Sequence, residues 1–526
     1  MNNLIFSDMM GREQLSKSDL VVLGLDTLFI EAAHLVLEKQ DYRSLVFQKA
    51  FDIDYTHAQK LFSELREYNV IGSAATTPRK IMSREELDEL LLTLKSKRIF
   101  IASDGDILES WTDEYGVRYS SDGKRLLKAS ENIEKYCVKD GTIIICDKAF
   151  FNTRLFSIIV TEGCELLGSS CFGHCQNLTS ITLPSSLREI GSGAFWHCDI
   201  INSICIPENV EKIDRHVFAS CNNLRSIIVD TKNRHFDSRN NCNAIIDSSN
   251  NTLYAACSYS TIPDDVSKIA EFSFNYCEEL SSIIIPGTVE SIGFQAFSGC
   301  KKLKEVVLQE GVREIEHYAF SNVYSLKSIK LPKSLKTIGE GAFEGCNIDT
   351  IFIPEGVEQI WDNPFKENNL KNIVVDKNNR YYDSRDNCNA IIQSQSNVLI
   401  AGCCSTVIPP SVVMIGESAF EGCRDLTTIV IPEGVKRIAH HAFAHCEGYS
   451  CFVNPDEHGL FNEREIEHHE GLTTVFIPNS IERAWGFVFG APSPKLKIII
   501  PTCTKGKFEK IFLDLYKDKL VEQDKM

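Results

Sequence analysis

A histidine-rich segment near the C-terminal end holds the most obvious set of metal-binding side chains in the chain. It reads His440-His441-Ala-Phe-Ala-His445-Cys446, and Cys451 follows it. Imidazole and thiolate groups bind zinc, but a zinc site needs four ligands that converge on one point. Here the histidines flank Phe443, which occupies a position that recurs along the chain. We therefore interpret them as ordinary surface histidines and expect no bound metal.

Other sets of catalytic or cofactor-binding residues are not apparent in the sequence. It contains no Gly-x-x-x-x-Gly-Lys-Ser/Thr loop, whose backbone would hold the phosphates of a nucleotide. Its 13 His and 20 Cys do not single out a Ser/His/Asp or Cys/His group. The charged run Glu463–His469 is typical of a solvated surface. We expect a protein without enzymatic activity and without a cofactor.

Phenylalanine recurs along most of the chain at a nearly constant spacing. The steps between successive members are 22, 23, 23, 56, 23, 23, 23, 22, 55, 23 and 46 residues. The residues are Phe150, Phe172, Phe195, Phe218, Phe274, Phe297, Phe320, Phe343, Phe365, Phe420, Phe443 and Phe489. A fixed period of this size indicates a solenoid. The steps of 56 and 55 predict one period plus an insert, and the step of 46 predicts two periods with a degenerate coil around Glu465-Ile466.

The clearest repeat unit shows how one coil is built. The run Leu326-Lys-Ser-Ile-Lys-Leu-Pro332 alternates apolar and polar residues, which predicts a strand with one buried face. Proline ends the strand because it has no N–H to continue a ladder. The pair Ala342-Phe343 follows, and we expect the ring to stack on that of the neighbouring coil. Since one unit cannot bury its apolar face alone, function is expected on surfaces rather than in a pocket.

These residues resemble the BspA-like leucine-rich repeat family, whose pattern is I-P-x-x-V-x-x-I-G-x-x-A-F-x-G-C-x-x-L-x-x-I. The match runs from about Ser103 to Thr504. It implies a curved, right-handed β-solenoid with a continuous sheet on one face. The departures from the pattern are local: Val323 and Asn368 replace the usual Cys, and Pro364 replaces Ala.

Two inserts, near residues 230–262 and 376–408, are copies of each other offset by 146 residues. Each contains Asp-Ser-Arg-x-Asn-Cys-Asn-Ala-Ile-Ile, and a fainter copy at Gly116–Leu127 opens the array with an Asp-Gly turn. We predict a hairpin in each copy, serving either as a structural spacer or as a ligand-contacting protrusion. After the repeats, which we assign to residues 99–504, residues 505–526 are predicted to form an amphipathic capping helix.

The positions of the cysteines and the composition of the N-terminal segment favour an intracellular protein. Eight cysteines follow the repeated phenylalanine by three residues and so fill one slot as small hydrophobes: Cys175, Cys198, Cys221, Cys277, Cys300, Cys346, Cys423 and Cys446. The segment Met1–Asp8 lacks the features of a signal peptide, and no run of about eighteen apolar residues occurs. We predict a cytoplasmic protein with reduced thiols and no membrane association, although many proteins with these repeats are surface adhesins.

The net charge of −17 belongs mostly to the repeats, because residues 1–98 hold 13 Lys+Arg against 15 Asp+Glu. Such acidity argues against a solenoid that wraps nucleic acid.

Residues 26–98 lack the repeat and predict a small helical domain after a tail of residues 1–25. The expected elements are helices near Leu28–Leu37, Ser44–Ala50 and Asp54–Tyr68, two strand-like segments at Val70–Gly72 and Ile81-Met82, and a last helix. That helix begins at the capping box Ser83-Arg-Glu-Glu86. Three helices and a two-stranded wing describe a winged helix.

The same segment resembles the gamma domain of FtsK-type DNA translocases, from Asp26 to Ile81. The resemblance implies that the third helix enters the major groove of DNA. Where the family has Gly-Tyr-Asn-Arg-Ala-Ala-Arg, this chain has Asp54-Tyr-Thr-His-Ala-Gln-Lys60, and Lys cannot reproduce the two-donor fork that Arg offers guanine. The candidate DNA-contacting residues are Lys49, Thr56, His57, Gln59, Lys60, Ser63, Arg79 and Lys80. The near-neutral charge leaves two alternatives open, duplex DNA binding or a protein-contact module.

A second candidate site is the outward column of the repeat strands. Its apolar members are Ile284, Val307, Phe352, Val374, Val430, Phe476 and Ile499, and Thr182, Cys205 and Lys330 interrupt it. A continuous apolar ribbon would mark a protein-binding face. The alternative is that β-branched residues pack laterally along a long sheet.

These observations predict a winged helix followed by a leucine-rich-repeat solenoid. Our working hypothesis is a DNA-associated adaptor whose repeats bind an unknown protein partner. The alternative is a pure protein-interaction or adhesin-like protein in which the winged helix is a docking module.

Overall fold

A computed structural model describes residues 20, 23, 25–39, 44–53, 57–58, 60–61, 64–65, 70–71, 81–449, 453–455, 461–463, 468–490 and 493–523. Among these residues, no helix has both the length and the apolar character needed to span a lipid bilayer.

Most coils of the solenoid contribute one long strand whose side chains alternate between the core and the solvent. In Ser203–Ile206, for example, Ile204 and Ile206 are buried while Ser203 and Cys205 are exposed. Most neighbouring long strands pair in parallel and in register, as the apolar alternation predicts. The run Leu326–Leu331, from which the strand was predicted, is an exception, because it forms only an isolated bridge between Lys330 and Val307. The long strands are Lys135–Cys137, Ser157–Ile159, Ser180–Thr182, Ser203–Ile206, Ser226–Val229, Ser282–Ile285, Glu305–Leu308, Thr350–Ile353, Asn372–Val375, Thr428–Val430, Thr474–Phe476, Lys497–Ile500 and Leu520–Glu522.

In most coils a short strand follows the long one, and the short strands pair in parallel within three sheets. They are Ile144–Ile145, Leu166–Leu167, Glu189–Ile190 and Lys212–Ile213, then Lys268–Ile269, Ser291–Ile292, Glu314–Ile315, Thr337–Ile338 and Gln359–Ile360, and finally Met414–Ile415, Arg437–Ile438 and Arg483–Ala484. Three antiparallel strands open each sheet, so the predicted hairpins are present. These strands are Trp111–Thr112, Arg118–Tyr119 and Arg125–Lys128; Phe236–Asp237, Ala244–Asp247 and Thr252–Ala256; and Tyr382–Asp383, Ile391–Gln393 and Val398–Ala401. Single 3-10 turns, Arg239–Asn241 and Arg385–Asn387, lie within the two inserts.

The twelve repeated phenylalanines are buried, each at most 4 % exposed, and lie along the inside of the turn that closes each coil. Successive rings stack with centroids 4.7 to 5.8 Å apart in three runs, which begin at Phe150, Phe274 and Phe420. Backbone bonds also link these turns, since the N–H of Phe150 donates to the carbonyl of Cys171 at 2.7 Å. The turns therefore form a third hydrogen-bonded ladder beside the two sets of strands.

The two inserts interrupt the phenylalanine stack because a small residue takes the ring's place. The Ala256 N–H donates to the carbonyl of Ser273, and the Gly402 N–H to that of Ala419. In most other coils the N–H of a repeated phenylalanine makes this bond, to the carbonyl of the residue that precedes the phenylalanine of the next coil. A side chain on Gly402 would collide with the ring of Phe420, whose nearest atom lies 2.2 Å from the position of an added Cβ. Each insert is thus an elongated coil with a small residue in the ladder.

The prediction of an additional, degenerate coil around Glu465-Ile466 is wrong. The pair Glu465-Ile466 itself lies outside the described residues. Phe443 stacks directly on Phe489 at 5.7 Å, and Val430 pairs in register with Phe476. No coil therefore separates the two. The intervening chain leaves the stack as antiparallel pairs, Glu447–Tyr449 with His468–Gly471 and Val453–Pro455 with Phe461–Glu463. The step of 46 residues is one coil plus an excursion, because a step length cannot distinguish an extra coil from a side loop.

The repeated cysteines do more than fill space. The thiols of Cys175, Cys198 and Cys300 point at the carbonyl of the ladder phenylalanine in the preceding coil, at 3.0 to 3.2 Å. Burial raises the pKa of these thiols, so they stay protonated and retain the S–H donor. Where Asn368 replaces Cys, its amide donates to the carbonyl of Phe343 at 2.6 Å. A buried carbonyl needs a donor, which explains why this substitution is compatible with the stack.

The N-terminal region is helical over the parts that the structure describes. The helices are Phe29–Lys39, Ser44–Phe51 and Arg84–Arg98, and the described positions between 57 and 65 are helical as well. Ile71 and Ile81 form an antiparallel bridge. The capping box is present, since Ser83 N–H donates to the Glu86 carboxylate at 2.6 Å and Glu86 N–H to the Ser83 hydroxyl at 3.1 Å.

Both ends of the solenoid are covered by short helical segments. Before the first coil, the helix Asp104–Leu108 is held by Arg125, which bonds Asp106 at 2.8 Å and the carbonyls of Ile99 and Ile101. After the last coil, the helix Lys505–Ile511 and the 3-10 turn Asp514–Lys519 bury Phe508 and Tyr516. The predicted cap is thus shorter than expected, because the chain after the turn pairs with the sheet as the strand Leu520–Glu522.

Candidate protein-binding face

The exposed side chains of the long strands form two columns that cross the coils. The first strand position carries mostly small hydroxyl residues: Ser157, Ser180, Ser203, Ser226, Ser282, Thr350, Thr428 and Thr474. The third position carries the predicted apolar residues. Register pairs place Ile284 beside Val307, Phe352 beside Val374, and Val430 beside Phe476. The coil period thus converts one strand position into a surface column.

Five of the seven predicted members of this column are exposed. Ile284 and Val430 are 58 % and 60 % exposed, and Val307, Phe352 and Val374 expose 39 to 49 %. Two further members, Ile159 and Ile228, are about as exposed and lie at the same strand position. The same alternation predicts them, but they flank Thr182 and Cys205, where the column is not apolar. We call these seven residues the apolar column: Ile159, Ile228, Ile284, Val307, Phe352, Val374 and Val430.

The last two predicted members do not belong to this surface. Phe476 is only partly exposed, and Ile499 is buried at 2 % exposure, contrary to the prediction for both. Ile499 lies on an inner strand between Phe476 and Val521, which pair with it in register on either side. These lateral neighbours cover side-chain surface that the strand pattern alone would leave exposed.

The short strands present a different surface, which carries charged residues of both signs. Arg188 pairs with Glu211 at 2.7 Å in the next coil, and Lys212 returns the contact to Glu189 at 2.5 Å. The same kind of pair recurs farther along, between Lys336 and Glu358 at 2.6 Å. We call this surface the charged face. Several of its charges are therefore paired between neighbouring coils.

The repeat residues that build these two surfaces match a known family model. The model for the BspA type leucine rich repeat region matches residues 143–250, 246–371 and 401–512, which is more than half of the chain. The chain belongs to the BspA-type leucine-rich repeat family. The family model describes a repeat region. A search of curated proteins found none with significant similarity to the chain.

Solved structures of other proteins are similar to this one. The pneumococcal vaccine antigen PcpA aligns with 78 % of this chain and 80 % of its own, at 16 % identity and a TM-score of 0.38. A leucine-rich repeat protein from Bacteroides ovatus aligns with 79 % of this chain and 90 % of its own, at 20 % identity and a TM-score of 0.37.

The candidate DNA-contacting residues precede the BspA-type repeats, and the structure describes three of the eight. Thr56, Gln59, Ser63, Arg79 and Lys80 lie outside the described residues. Lys49 is exposed. His57 and Lys60 both contact the carboxylate of Asp26, at 2.8 and 3.4 Å, and Lys60 also lies 3.6 Å from Glu64.

The Asp26 carboxylate fixes these two candidates from within the domain. Its side chain is buried, which by itself would raise its pKa. Hydrogen bonds from the Leu28 N–H, His57 and Lys60 instead hold the pKa of Asp26 below its ordinary value. The hydrogen bond to Asp26 raises the pKa of Lys60. The family pattern could not reveal this contact, since Asp26 lies 31 and 34 residues before its two partners.

The histidine-rich segment of the third repeat block does not converge on one point. Cys446 is buried, and its thiol points at the carbonyl of Phe420 at 3.0 Å. His440 lies against Gly486, and His441 lies near the ring of Phe487. His445 instead reaches Glu367 and Glu421, which belong to other coils.

Proposed function

We propose that this protein is a non-enzymatic interaction scaffold whose repeats bind a protein partner along the apolar column. The observation that supports the proposal is the exposure of apolar residues that lie in register on neighbouring strands, Ile284 beside Val307 and Phe352 beside Val374. Exposed apolar surface is unfavourable in water unless a partner covers it. The β-branched residues Ile284 and Val430 remain more than half exposed, so lateral packing along the sheet does not bury them.

Site-specific photo-crosslinking in the native host tests this face. A photoreactive amino acid is placed at Ile284, Phe352 or Val430, and as matched controls at Gln359 or Arg437, which are exposed on the charged face. We expect adducts of one common mass from the three column positions. Adducts of that mass from the control positions, or none from the column, would contradict the proposal.

A second proposal concerns the N-terminal region, which we suggest is a winged helix that contacts duplex DNA. It is supported by the order of the helices, the antiparallel bridge between Ile71 and Ile81, and the exposed Lys49. In this view the protein is an adaptor that holds its protein partner near DNA. The Asp26 contacts restrain His57 and Lys60, so the alternative of a protein-docking module stays open.

Binding of the full chain to duplex DNA at increasing salt distinguishes these two roles. The triple variant Lys60→Ala, Arg79→Ala and Lys80→Ala should weaken binding and reduce the slope of log affinity against log salt by about 1 for each phosphate that the protein no longer neutralises. Lys39→Ala, on the first helix, is the matched control. Unchanged binding by the triple variant, or no binding by the wild type, would favour the docking module.

We further propose that the protein resides in the cytoplasm with reduced thiols. Apart from Cys446, the eighteen other cysteines that the structure describes are free, and most of them are buried. Protein from its own host, denatured without reductant, should therefore react with a thiol reagent at nearly all cysteines, while native protein reacts at few. Cell fractionation gives the complementary result, since surface exposure or oxidised cysteines would favour the adhesin-like alternative.

A further inference from the structure

Three side chains from three coils meet where the second insert divides the solenoid. Glu367 follows the ladder Phe365 by two residues, Glu421 follows Phe420 by one, and His445 follows Phe443 by two. One carboxylate oxygen from each glutamate and the imidazole Nδ1 all lie within 4.8 Å of one another. His445 Nδ1 contacts the Glu367 carboxylate directly and lies 3.6 Å from that of Glu421.

Backbone bonds hold the three coils in this arrangement. The Glu367 N–H donates to the carbonyl of Glu421 at 3.0 Å, and the Gly422 N–H donates to that of Ala444 at 3.0 Å. Gly422 has a positive φ of 76°, and an added Cβ would lie 2.4 Å from the Cα of Glu367. Only glycine allows the coils to approach this closely. The three side chains therefore project from hydrogen-bonded turns rather than from a loose loop.

Neighbouring charges orient the Glu367 carboxylate and make the junction acidic. Arg424 bonds one of its oxygens at 3.0 Å, which turns the other toward His445. Burial raises the pKa of the Glu344 carboxylate, and the negative charges of Glu421 and Glu367 raise it as well. Lys366, 3.3 Å from Glu344, compensates part of this negative charge.

We propose that Glu367, Glu421 and His445 form a Zn²⁺ site that fastens the third repeat block to the second. One imidazole and two carboxylates are a ligand set that zinc accepts, with bonds of about 2.0–2.2 Å and a fourth position for water. Ligand atoms around such an ion are roughly 3.4 Å apart, close to the separation of His445 and Glu421. Binding requires that His445 and Glu367 exchange their direct contact for two bonds to the metal, a movement of about 1 Å.

The first insert provides an internal comparison. The corresponding positions at that junction, counted from Phe218, Phe274 and Phe297, are Ser220, Asn275 and Gly299. None of them is a carboxylate or an imidazole. Of the two sets of positions with equal phase, only the one at the second insert carries metal-binding groups.

Zinc binding by the full-length chain tests the site. The chain is treated with chelator, its accessible thiols are blocked by alkylation, and Zn²⁺ alone is titrated calorimetrically. Co²⁺ serves as a second probe because its visible absorption reports the coordination geometry. We expect the wild type to bind one Zn²⁺ per chain, and Glu421→Gln and His445→Gln to bind it at least about 100-fold more weakly.

His441→Gln is the matched control, since it removes a histidine of the same segment that lies outside the cluster. It should bind Zn²⁺ like the wild type. The proposal is overturned if the wild type binds no Zn²⁺, if both cluster variants retain full binding, or if His441→Gln loses binding equally. Circular dichroism on all three variants, together with Co²⁺ spectra, separates loss of ligands from loss of fold.

Discussion

The apolar column and the charged face lie on the same coils, but side chains of neighbouring coils interact differently on the two surfaces. On the charged face, a repeated position would place like charges one strand spacing apart, at about 4.8 Å, unless the signs alternate. The observed pairs, such as Lys336 with Glu358, provide that alternation. The apolar column needs no alternation, because neighbouring apolar groups attract one another in water. A partner that covers the column would remove this apolar surface from water, which is the reason for proposing it as the binding face.

The largest effect is expected when lysine is placed on the inward side of one long strand, in comparison with its outward side. Ile283 and Ile284 are adjacent in Ser282–Ile285, but Ile283 is 6 % exposed and Ile284 is 58 % exposed. Ile283→Lys buries an unpaired charge and should lower the free energy of unfolding by roughly 4 kcal/mol. Ile284→Lys should change it by less than about 0.5 kcal/mol. Denaturant unfolding measures both, and similar losses would mean that the two faces were assigned wrongly.

The phenylalanine stack lies in the core of the coils that carry both faces, and truncating one of its rings is the next test. Phe297 lies between Phe274 and Phe320, with ring centroids 4.7 and 5.0 Å away. Phe297→Ala removes buried apolar surface and leaves a cavity, which should cost about 3–5 kcal/mol.

Because coils of a solenoid contact mainly their neighbours, hydrogen exchange should rise around residues 270–325 first. The coil of Phe443 should stay protected. A uniform loss of protection would show that the whole chain unfolds as one cooperative unit and that neither face can be perturbed locally.

The smallest effect is expected on the charged face. A double-mutant cycle on Lys336→Ala and Glu358→Ala should give a coupling energy of about 0.5 kcal/mol at low salt and near zero in concentrated salt. The photo-crosslinking pattern on the column should be unchanged in these variants. A coupling that persists in high salt would indicate that the face contributes more to stability than its exposure suggests.

The repeat was predictable because its signal is local and recurs many times. Each coil repeats the same strand, proline and phenylalanine, so departures at one position, such as Pro364 or Asn368, do not obscure the pattern. The column followed from the same alternation, which is why five of its residues were found from the sequence. The exposure of Ile499 was predicted wrongly because its burial depends on the strands that pair beside it, Thr474–Phe476 and Leu520–Glu522.

The sequence by itself determined the period, the inward and outward positions of most long strands, and the capping box at Ser83. These depend on residues close together in the chain. The tertiary structure alone decided that the described strands between Glu447 and Gly471 leave the stack, that Asp26 holds His57 and Lys60, and that His445 meets Glu367 rather than its histidine neighbours. The His445 partner is 78 residues away, because stacking brings positions of equal phase together whatever chain length separates them.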